Sequence, residues 1–208
     1  MTEPSTPNKR SERRAREHSA TRASILDAAR RVASRDGARD LSLRGVAAEA
    51  GFAPAALYGY FTGKDDLLLA LAAEDLSSLA RAMRGATTDS AGKGKLAAAS
   101  AAALAMLRTT ETIAAASAAL PASAGTGEAE RLFNGRFIAV LKVLSEAAGH
   151  KTGSREEQCD VLLMAAALSG MALLARAGRL EALGFTAEEI LSRLDTRFSD
   201  ACQENLSD

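Results

Sequence analysis

Capping and stop residues near the N-terminus divide the chain into short helical segments, and this division constrains the fold more than any other feature. Thr21 can cap a first helix whose apolar residues repeat at helical spacing, and Gly37 is placed to end it. Ser42 is a good N-cap for a second, short helix that Gly51 stops. A third helix begins at about Pro54, because proline is well tolerated in a first helical turn. Short helices joined by glycine turns predict a compact unit.

The remainder of the chain predicts long helices and no sheet. Alanine and aliphatic residues dominate, aromatic residues make up 4% of the sequence, and there are only 4 prolines. That balance favours helices over strands. The sequence therefore predicts an all-α protein in which a three-helix N-terminal unit precedes an antiparallel helical bundle. We place the helices of the bundle near 64–84, 92–109, 110–119, 127–148, 155–178 and 186–204.

Charge is distributed unevenly along the chain. The sequence has 26 Lys and Arg and 26 Asp and Glu, but basic residues predominate in residues 1–64 and acidic residues in 65–208. Residues 1–19 lack apolar periodicity and include the run KRSERRAREH, so we interpret them as a mobile basic arm. The basic N-terminal part of the chain suggests a polyanionic partner, although a solvated helix surface would carry the same charges.

The segment AEAGFAPAALYGYFTGK holds both tyrosines of the chain together with Phe52 and Phe61. Helices at 43–50 and 54–61 have the size and spacing of a helix-turn-helix, a motif whose second helix enters the major groove of DNA. Leu57 and Phe61 are four residues apart and therefore share a face that can pack on the preceding helix. From periodicity alone, a small three-helix cap whose tyrosines extend into water is the alternative.

The two tyrosines cannot serve the same point on a ligand. Tyr58 and Tyr60 lie about 200° apart around a helix of about 3.6 residues per turn. They can instead reach the two phosphate walls of a groove that the helix occupies. Lys64, at the start of the next helix, adds a positive charge beside a helix N-terminus, which suits phosphate binding. Phe52 and Phe61 are then left to fill a small core.

The stretch from about Thr21 to Leu71 resembles the DNA-binding domain of the TetR family of transcriptional repressors. The most specific part of this resemblance is formed by Leu57, Tyr58, Tyr60, Phe61 and Lys64. The resemblance implies a helix-turn-helix domain over 20–66 and a helical effector-binding and dimerisation domain over 67–208. It also implies DNA contacts from Thr21, Arg22, Arg44, Pro54, Ala55, Ala56, Tyr58, Tyr60 and Lys64.

Two positions depart from the family pattern. Ala53 stands where serine is common before the recognition helix, and its side chain cannot cap that helix. Gly59 stands where a larger residue is common, and glycine inside a helix costs about 1 kcal/mol relative to alanine. The exposed positions of the recognition helix also hold no Arg, Asn or Gln, so Arg44 is the nearby side chain that can bind a guanine.

Family members use the rear of the chain to dimerise, and the last two long helices fit that role. Residues 161–175 are apolar on nearly every side, so this helix must be covered all round. The alternative is that both helices simply pack inside one subunit. We expect the dimer interface to include Leu168, Gly170, Met171, Leu191, Leu194 and Phe198.

Family members also bind a small effector among the middle helices, and such sites are concave and mostly apolar with few polar groups. The scarcity of aromatic residues argues against a planar, stacked ligand, so we expect a small apolar or amphipathic molecule. Methionines at helical spacing are also common as gap-filling core residues. The candidate pocket residues are Met83, Leu104, Leu107, Arg108, Phe133, Asn134, Phe137, Leu141 and Met164.

An enzyme is the main alternative class of function. The only histidines, His18 and His150, have no carboxylate pair or nucleophile motif beside them. The sequence GKGK at 92–95 lacks the glycine spacing of a phosphate loop. We therefore expect no catalytic residue, no metal and no cofactor. A helical bundle that binds only a small molecule or a protein is the third option, which the basic arm and the tyrosine–lysine signature disfavour.

The expected location is the cytoplasm. Cys159 and Cys202 are far apart and fit a pair of reduced thiols, and the N-terminus has no apolar signal region. No apolar run is long enough to suggest a membrane partner. The sequence thus predicts a TetR-like repressor that binds a palindromic operator in double-stranded DNA as a homodimer and is released by a small effector.

Overall fold

The computed structural model describes residues 9–90, 94–119 and 127–204, with side chains as far as residue 199. All regular structure in these ranges is helical, which confirms the predicted all-α class. The helices are α1 (Lys9–Asp36), α2 (Leu43–Ala50), α3 (Pro54–Leu57), α4 (Lys64–Asp89), α5 (Lys95–Leu107), α6 (Thr112–Ala119), α7 (Glu128–Ala147), α8 (Arg155–Arg176), α9 (Arg179–Ala182) and α10 (Ala187–Glu204), with a 3-10 turn at Ala38–Asp40.

The second helix begins and ends where the sequence predicts. The Ser42 hydroxyl accepts a hydrogen bond from the backbone N–H of Gly45 at 3.1 Å, which satisfies one of the free donors of the first turn. Gly51 ends α2 in the left-handed conformation, with φ of 74°. Both signals are local, and they fix the turn that leads to α3.

The first helix is longer than predicted. It begins at Lys9, and the Thr21 hydroxyl donates to the backbone oxygen of Glu17 at 2.9 Å inside the helix instead of capping it. Ion pairs one turn apart, Arg13–Glu17 and Arg16–Glu12, both 3.4 Å long, support the added turns. The expectation of an irregular segment is therefore wrong from Lys9 onward. Residues 1–8 lie outside the described residues, and the mobility of the arm stays a prediction.

The long helix α4 is the centre of the molecule. It contacts α1 on one side and α5, α6 and α7 on the other. Residues 67–73 are all buried, so this helix is apolar on every side at the level where the two parts of the chain meet. It also runs past the predicted end near residue 84, because Gly85 is accommodated at an exposed position inside the helix.

The helices at the rear of the chain lie close to their predicted positions. α8 packs on α5 and α7, and α10 packs on α5 and α8. The short helix α9 was not predicted, and it follows Gly178, whose φ of 62° turns the chain after α8. α8 is the one described helix that is long and apolar enough to cross a membrane, but core helices of helical bundles share this property. Here Val161, Met164 and Leu168 are buried in the main core.

A buried carboxylate joins three of the helices. Asp75 of α4 is 5% exposed, and its Oδ1 accepts a hydrogen bond from the Arg30 guanidinium of α1 at 3.0 Å. Its Oδ2 accepts a short hydrogen bond from the hydroxyl of the buried Thr112 at the start of α6. Arg30 also contacts Glu74 at 3.3 Å. The junction between the N-terminal unit and the bundle is therefore a satisfied polar network.

Replacing Thr112 with valine should destabilise the protein measurably. The change keeps the shape of the side chain but removes a hydrogen bond to a buried charged group, so the free energy of unfolding should fall by about 1.5–3 kcal/mol. Ser117→Ala on the same helix is the control, because the Ser117 hydroxyl bonds only the Ile113 backbone oxygen. Urea unfolding followed by circular dichroism gives both values. Equal effects from the two variants would show that the junction network adds no stability.

Candidate nucleic-acid interface

The recognition segment is a short helix followed by a tight turn. The sequence predicts a helix over 54–61, but α3 ends at Leu57. From there the backbone N–H groups of Tyr60 and Phe61 both donate to the Leu57 oxygen, each at 2.9 Å. The shortening at this end has a local physical cause, because Gly59, two residues beyond Leu57, has a low helix propensity; at the other end, Ala53 offers no side-chain cap.

Two apolar side chains fix this segment to the rest of the N-terminal unit. Leu57 is fully buried and Phe61 is 1% exposed, and both belong to the main core with Val46 of α2. The guanidinium of Arg22 lies 5.1 Å from the centre of the Phe61 ring, within the range of a cation–π contact. The prediction that Leu57 and Phe61 face the core is confirmed.

The opposite side of the segment is open. Pro54, Ala55 and Ala56 are exposed, and the Tyr58 side chain is 64% exposed. Arg44 is exposed on the first turn of α2 and has no hydrogen bond or ion pair with any described residue. This side of the segment therefore presents small apolar groups and one phenol, and the donors of Arg44 on the preceding helix are available to a ligand.

Three other predicted DNA contacts are engaged within the protein. Tyr60 is half-buried, and its ring stacks on the ring of His18 with centroids 4.6 Å apart and an angle of 25°. The Lys64 ammonium donates a short hydrogen bond to the backbone oxygen of Arg39. Thr21 is half-buried on α1, next to Arg22. These contacts join the recognition segment to α1 and the start of α4 to the 3-10 turn, and the phosphate roles of these side chains stay predictions.

Two arginines and one glutamate clamp α1 to α2, and sequence reasoning missed them. Glu49 accepts hydrogen bonds from Arg31 Nε at 2.7 Å and from Arg35 at 3.1 Å. These bonds, the one from Arg31 foremost, lower the pKa of the Glu49 carboxyl. The spacing of Arg31 and Arg35 one turn apart was visible in the sequence. Their shared partner was not, because it lies on another helix.

The predicted effector pocket falls mainly within the packed interior. Met83, Phe133 and Met164 belong to the main core, and Leu104 lies in a smaller cluster with Met171 and Ala172. Leu107, Phe137 and Leu141 are half-buried, whereas Arg108 and Asn134 are exposed. One open cleft among the described residues lies elsewhere. It has a volume of about 670 Å³ and is lined by Arg30, Asp75, Arg81, Met106 and Thr110.

The predicted dimer residues differ in their burial within the single chain, and their role in an interface stays a prediction. Leu168 and Met171 of α8 and Leu194 of α10 are at most 7% exposed, because these sides of the two helices face the rest of the bundle. Leu191 and Phe198 are half-buried, and Gly170 is exposed. The exposed apolar row of α8 consists of Leu162, Leu163, Leu173 and Leu174, with exposures of 52%, 58%, 62% and 40%.

Comparison with known proteins agrees with this geometry. Residues 25–71, which run from the buried part of α1 into α4, match the model of the tetR family of bacterial regulatory proteins. This N-terminal part of the chain therefore matches the domain that defines the tetR family of regulators. The resemblance drawn from Leu57, Tyr58, Tyr60, Phe61 and Lys64 is thereby confirmed.

A curated relative supports the same assignment over a limited part of the chain. Over 62 residues the chain is 47% identical to the nicotine-responsive transcriptional repressor HdnoR of Paenarthrobacter nicotinovorans. The match covers 30% of this chain and 32% of that protein, so it spans about a third of the relative.

Two solved structures show that the likeness of fold extends through the bundle. A TetR family transcription regulator from Marinobacter aquaeolei VT8 has a TM-score of 0.61 at 18% identity, covering 90% of this chain and 97% of that one. The transcriptional regulator FadR of Bacillus subtilis, solved with stearoyl-CoA, has a TM-score of 0.60 at 17% identity, covering 85% and 97%. At this level of sequence identity the comparison shows a shared fold, and the ligand of the Bacillus subtilis protein is not assigned to this chain.

Proposed function

We propose that this TetR-family protein represses transcription by binding a two-fold symmetric DNA operator as a homodimer, and that a small effector releases it. The observation that carries the proposal is the geometry of the recognition segment. Burial of Leu57 and Phe61 holds the segment in place while its other side stays exposed, and Arg44 on α2 is exposed as well. The family model covers this segment, and the relative with high local identity is named a repressor. No group of three or more His, Cys, Asp or Glu positioned to hold a metal occurs among the described residues.

Sequence readout should depend on Arg44. Pro54, Ala55, Ala56 and Gly59 offer no side chain that makes two hydrogen bonds to a base edge, whereas an arginine can bind guanine in this way. The alanine methyl groups can contact thymine methyls. Tyr58, exposed and without a hydrogen bond to any described residue, is suited to a phosphate.

The prediction is that Arg44→Ala relaxes the preference at one symmetric base pair by about 1–3 kcal/mol. Tyr58→Phe should weaken binding to all sequences alike, because a phosphate contact carries no sequence information. Binding-site selection from random duplexes, carried out on the wild type and both variants, gives the motifs. Motifs that differ only in overall affinity would make Arg44 a phosphate contact, and the absence of any selected motif for the wild type would refute DNA recognition itself.

The exposed row of α8 is the proposed surface for a second copy. Leu163, Leu173 and Leu174 project from one long helix, and the exposed small residues Ala166 and Gly170 between them allow another helix to approach closely. An isolated exposed leucine is ordinary, but a row of them on one helix marks an interface. A symmetric partner fits this row, because the two half-sites of an operator require a two-fold axis.

Leu173→Glu should convert the dimer to a monomer and weaken operator binding sharply, because it places a charge in the proposed interface. Ile138→Glu is the matched control: Ile138 is 64% exposed but lies on α7, away from the α8 row. Sedimentation velocity at low micromolar protein concentration distinguishes a monomer from a dimer for each variant. A monomeric wild type, or a Leu173→Glu variant that stays dimeric, would show that this row is not the interface. Leu194 is unsuitable as a probe, because it is buried within the subunit.

The effector is proposed to bind among the middle helices, where Phe137 and Leu141 are half-buried beside core residues. The names of two similar proteins mention nicotine and stearoyl-CoA, which differ in size and charge but both carry apolar parts. A small apolar or amphipathic molecule is therefore the class to test. To release DNA, it must bind the released arrangement of the helices more tightly than the DNA-bound one.

A thermal-shift screen of apolar amines and acyl-CoA esters, including nicotine and stearoyl-CoA, should yield a compound that raises the melting temperature and lowers DNA affinity. Phe137→Ala should weaken the binding of that compound without changing DNA binding in the absence of the compound, because Phe137 lies in the bundle. Leu132→Ala, at an exposed position of α7, is the control. Stabilising compounds that leave DNA affinity unchanged would contradict release by an effector.

A further inference from the structure

The first turns of α1 extend a basic helix beyond the matched DNA-binding domain. The family match begins at residue 25, whereas α1 begins at Lys9. Lys9, Arg10, Arg13, Arg14 and Arg16 all lie in these turns and are exposed. Residues 9–19 contain only one apolar residue, Ala15, so this helix has no apolar face that would suit a membrane or a protein groove.

An aromatic stack fixes the direction of this extension. The His18 ring stacks on Tyr60 of the recognition segment with centroids 4.6 Å apart. One turn further along α1, the Arg22 guanidinium lies over Phe61 at 5.1 Å. Two contacts on the same side of α1 therefore hold it against the recognition segment, and the helix continues from there toward its N-terminus.

Helical geometry separates the arginines into two groups. Arg14 and Arg10 precede His18 by four and eight residues, so they lie about 40° and 80° round the helix from it and about 6 and 12 Å further along the axis. Arg13 and Arg16 lie on the other side, about 140° and 160° away from His18. Arg13 pairs with Glu17 and Arg16 with Glu12, at 3.4 Å each.

We propose that the side of α1 bearing His18, Arg14 and Arg10 is a second DNA-binding surface, which takes backbone phosphates flanking the groove that the recognition segment enters. The surface is continuous with that segment through the His18–Tyr60 stack. Duplex DNA carries about one negative charge per 1.7 Å of its axis, so two arginines one turn apart meet phosphates without any demand on sequence. The inference rests on the proposed DNA-binding function. The additional phosphate contacts raise the affinity for DNA and lengthen the region of DNA that the protein covers.

Two double variants with the same loss of charge test the assignment. Arg10→Ala with Arg14→Ala removes the proposed contacts, and Arg13→Ala with Arg16→Ala removes the same charge from the other side. Each phosphate contact that is lost should reduce the slope of log affinity against log salt by about 0.9. The first variant should therefore show a flatter slope and a hydroxyl-radical footprint shortened at its outer ends. The second should retain the wild-type slope and footprint.

The stack has its own test. His18→Ala should flatten the slope even though every arginine is kept, whereas His18→Phe should restore it, because a phenyl ring can still stack on Tyr60. The measurements use the full-length protein and the duplex selected by the wild type. Equal slopes for the two double variants, with wild-type DNA binding intact, would overturn this surface alone. A wild type that binds no DNA would overturn the proposed function together with it.

Discussion

The buried carboxylate of Asp75 is the contact on which the relation between the two parts of this molecule depends. A carboxylate removed from water is costly unless it is paired and hydrogen-bonded. Asp75 meets this requirement with Arg30 from the N-terminal unit and Thr112 from the bundle. Neither partner can move far without leaving a charge unsatisfied. The position of α1 on the bundle is therefore set by directional polar contacts as well as by apolar packing, which is less directional.

This junction gives α4 a double role. Its buried residues 67–73 fill the contact between the two parts of the chain, while Asp75 lies directly after them. On the other side of the N-terminal unit, Glu49 clamps α1 to α2 through two arginines. The recognition segment is thus attached to α1, and α1 is attached to α4, whose Asp75 also bonds Thr112 of α6. A rearrangement that reaches α6 acts on a connected set of helices, which is the physical condition for coupling between separate sites.

What the sequence could predict follows from how local each signal is. Ser42 and Gly51 act on their own neighbours, so the limits of α2 were readable, and Leu57 with Phe61 showed their shared face by spacing alone. The start of α1 was missed because Thr21 is a good cap residue, whereas in the structure its hydroxyl bonds the Glu17 oxygen inside a helix that the ion pairs of Arg13 and Arg16 support. The exposed side of α8 was unreadable, since residues 161–175 are apolar all round and only packing shows which leucines stay exposed. The partners of Asp75 lie on distant helices, and no spacing rule connects them.

The short recognition helix depends on its surroundings for its shape, and this bears on how the proposed DNA contacts are divided. α3 has only four residues, and the turn after it contains Gly59, so little helix propensity holds the segment in shape. Its stability comes from burial of Leu57 and Phe61 and from the stack of Tyr60 on His18. The exposed side carries small residues, which fit a groove closely but form few hydrogen bonds with bases. Under the proposed function, direct readout falls to Arg44 and most of the affinity comes from charges around the segment. The basic extension of α1, held to the recognition segment by the stack of His18 on Tyr60, would supply such charges.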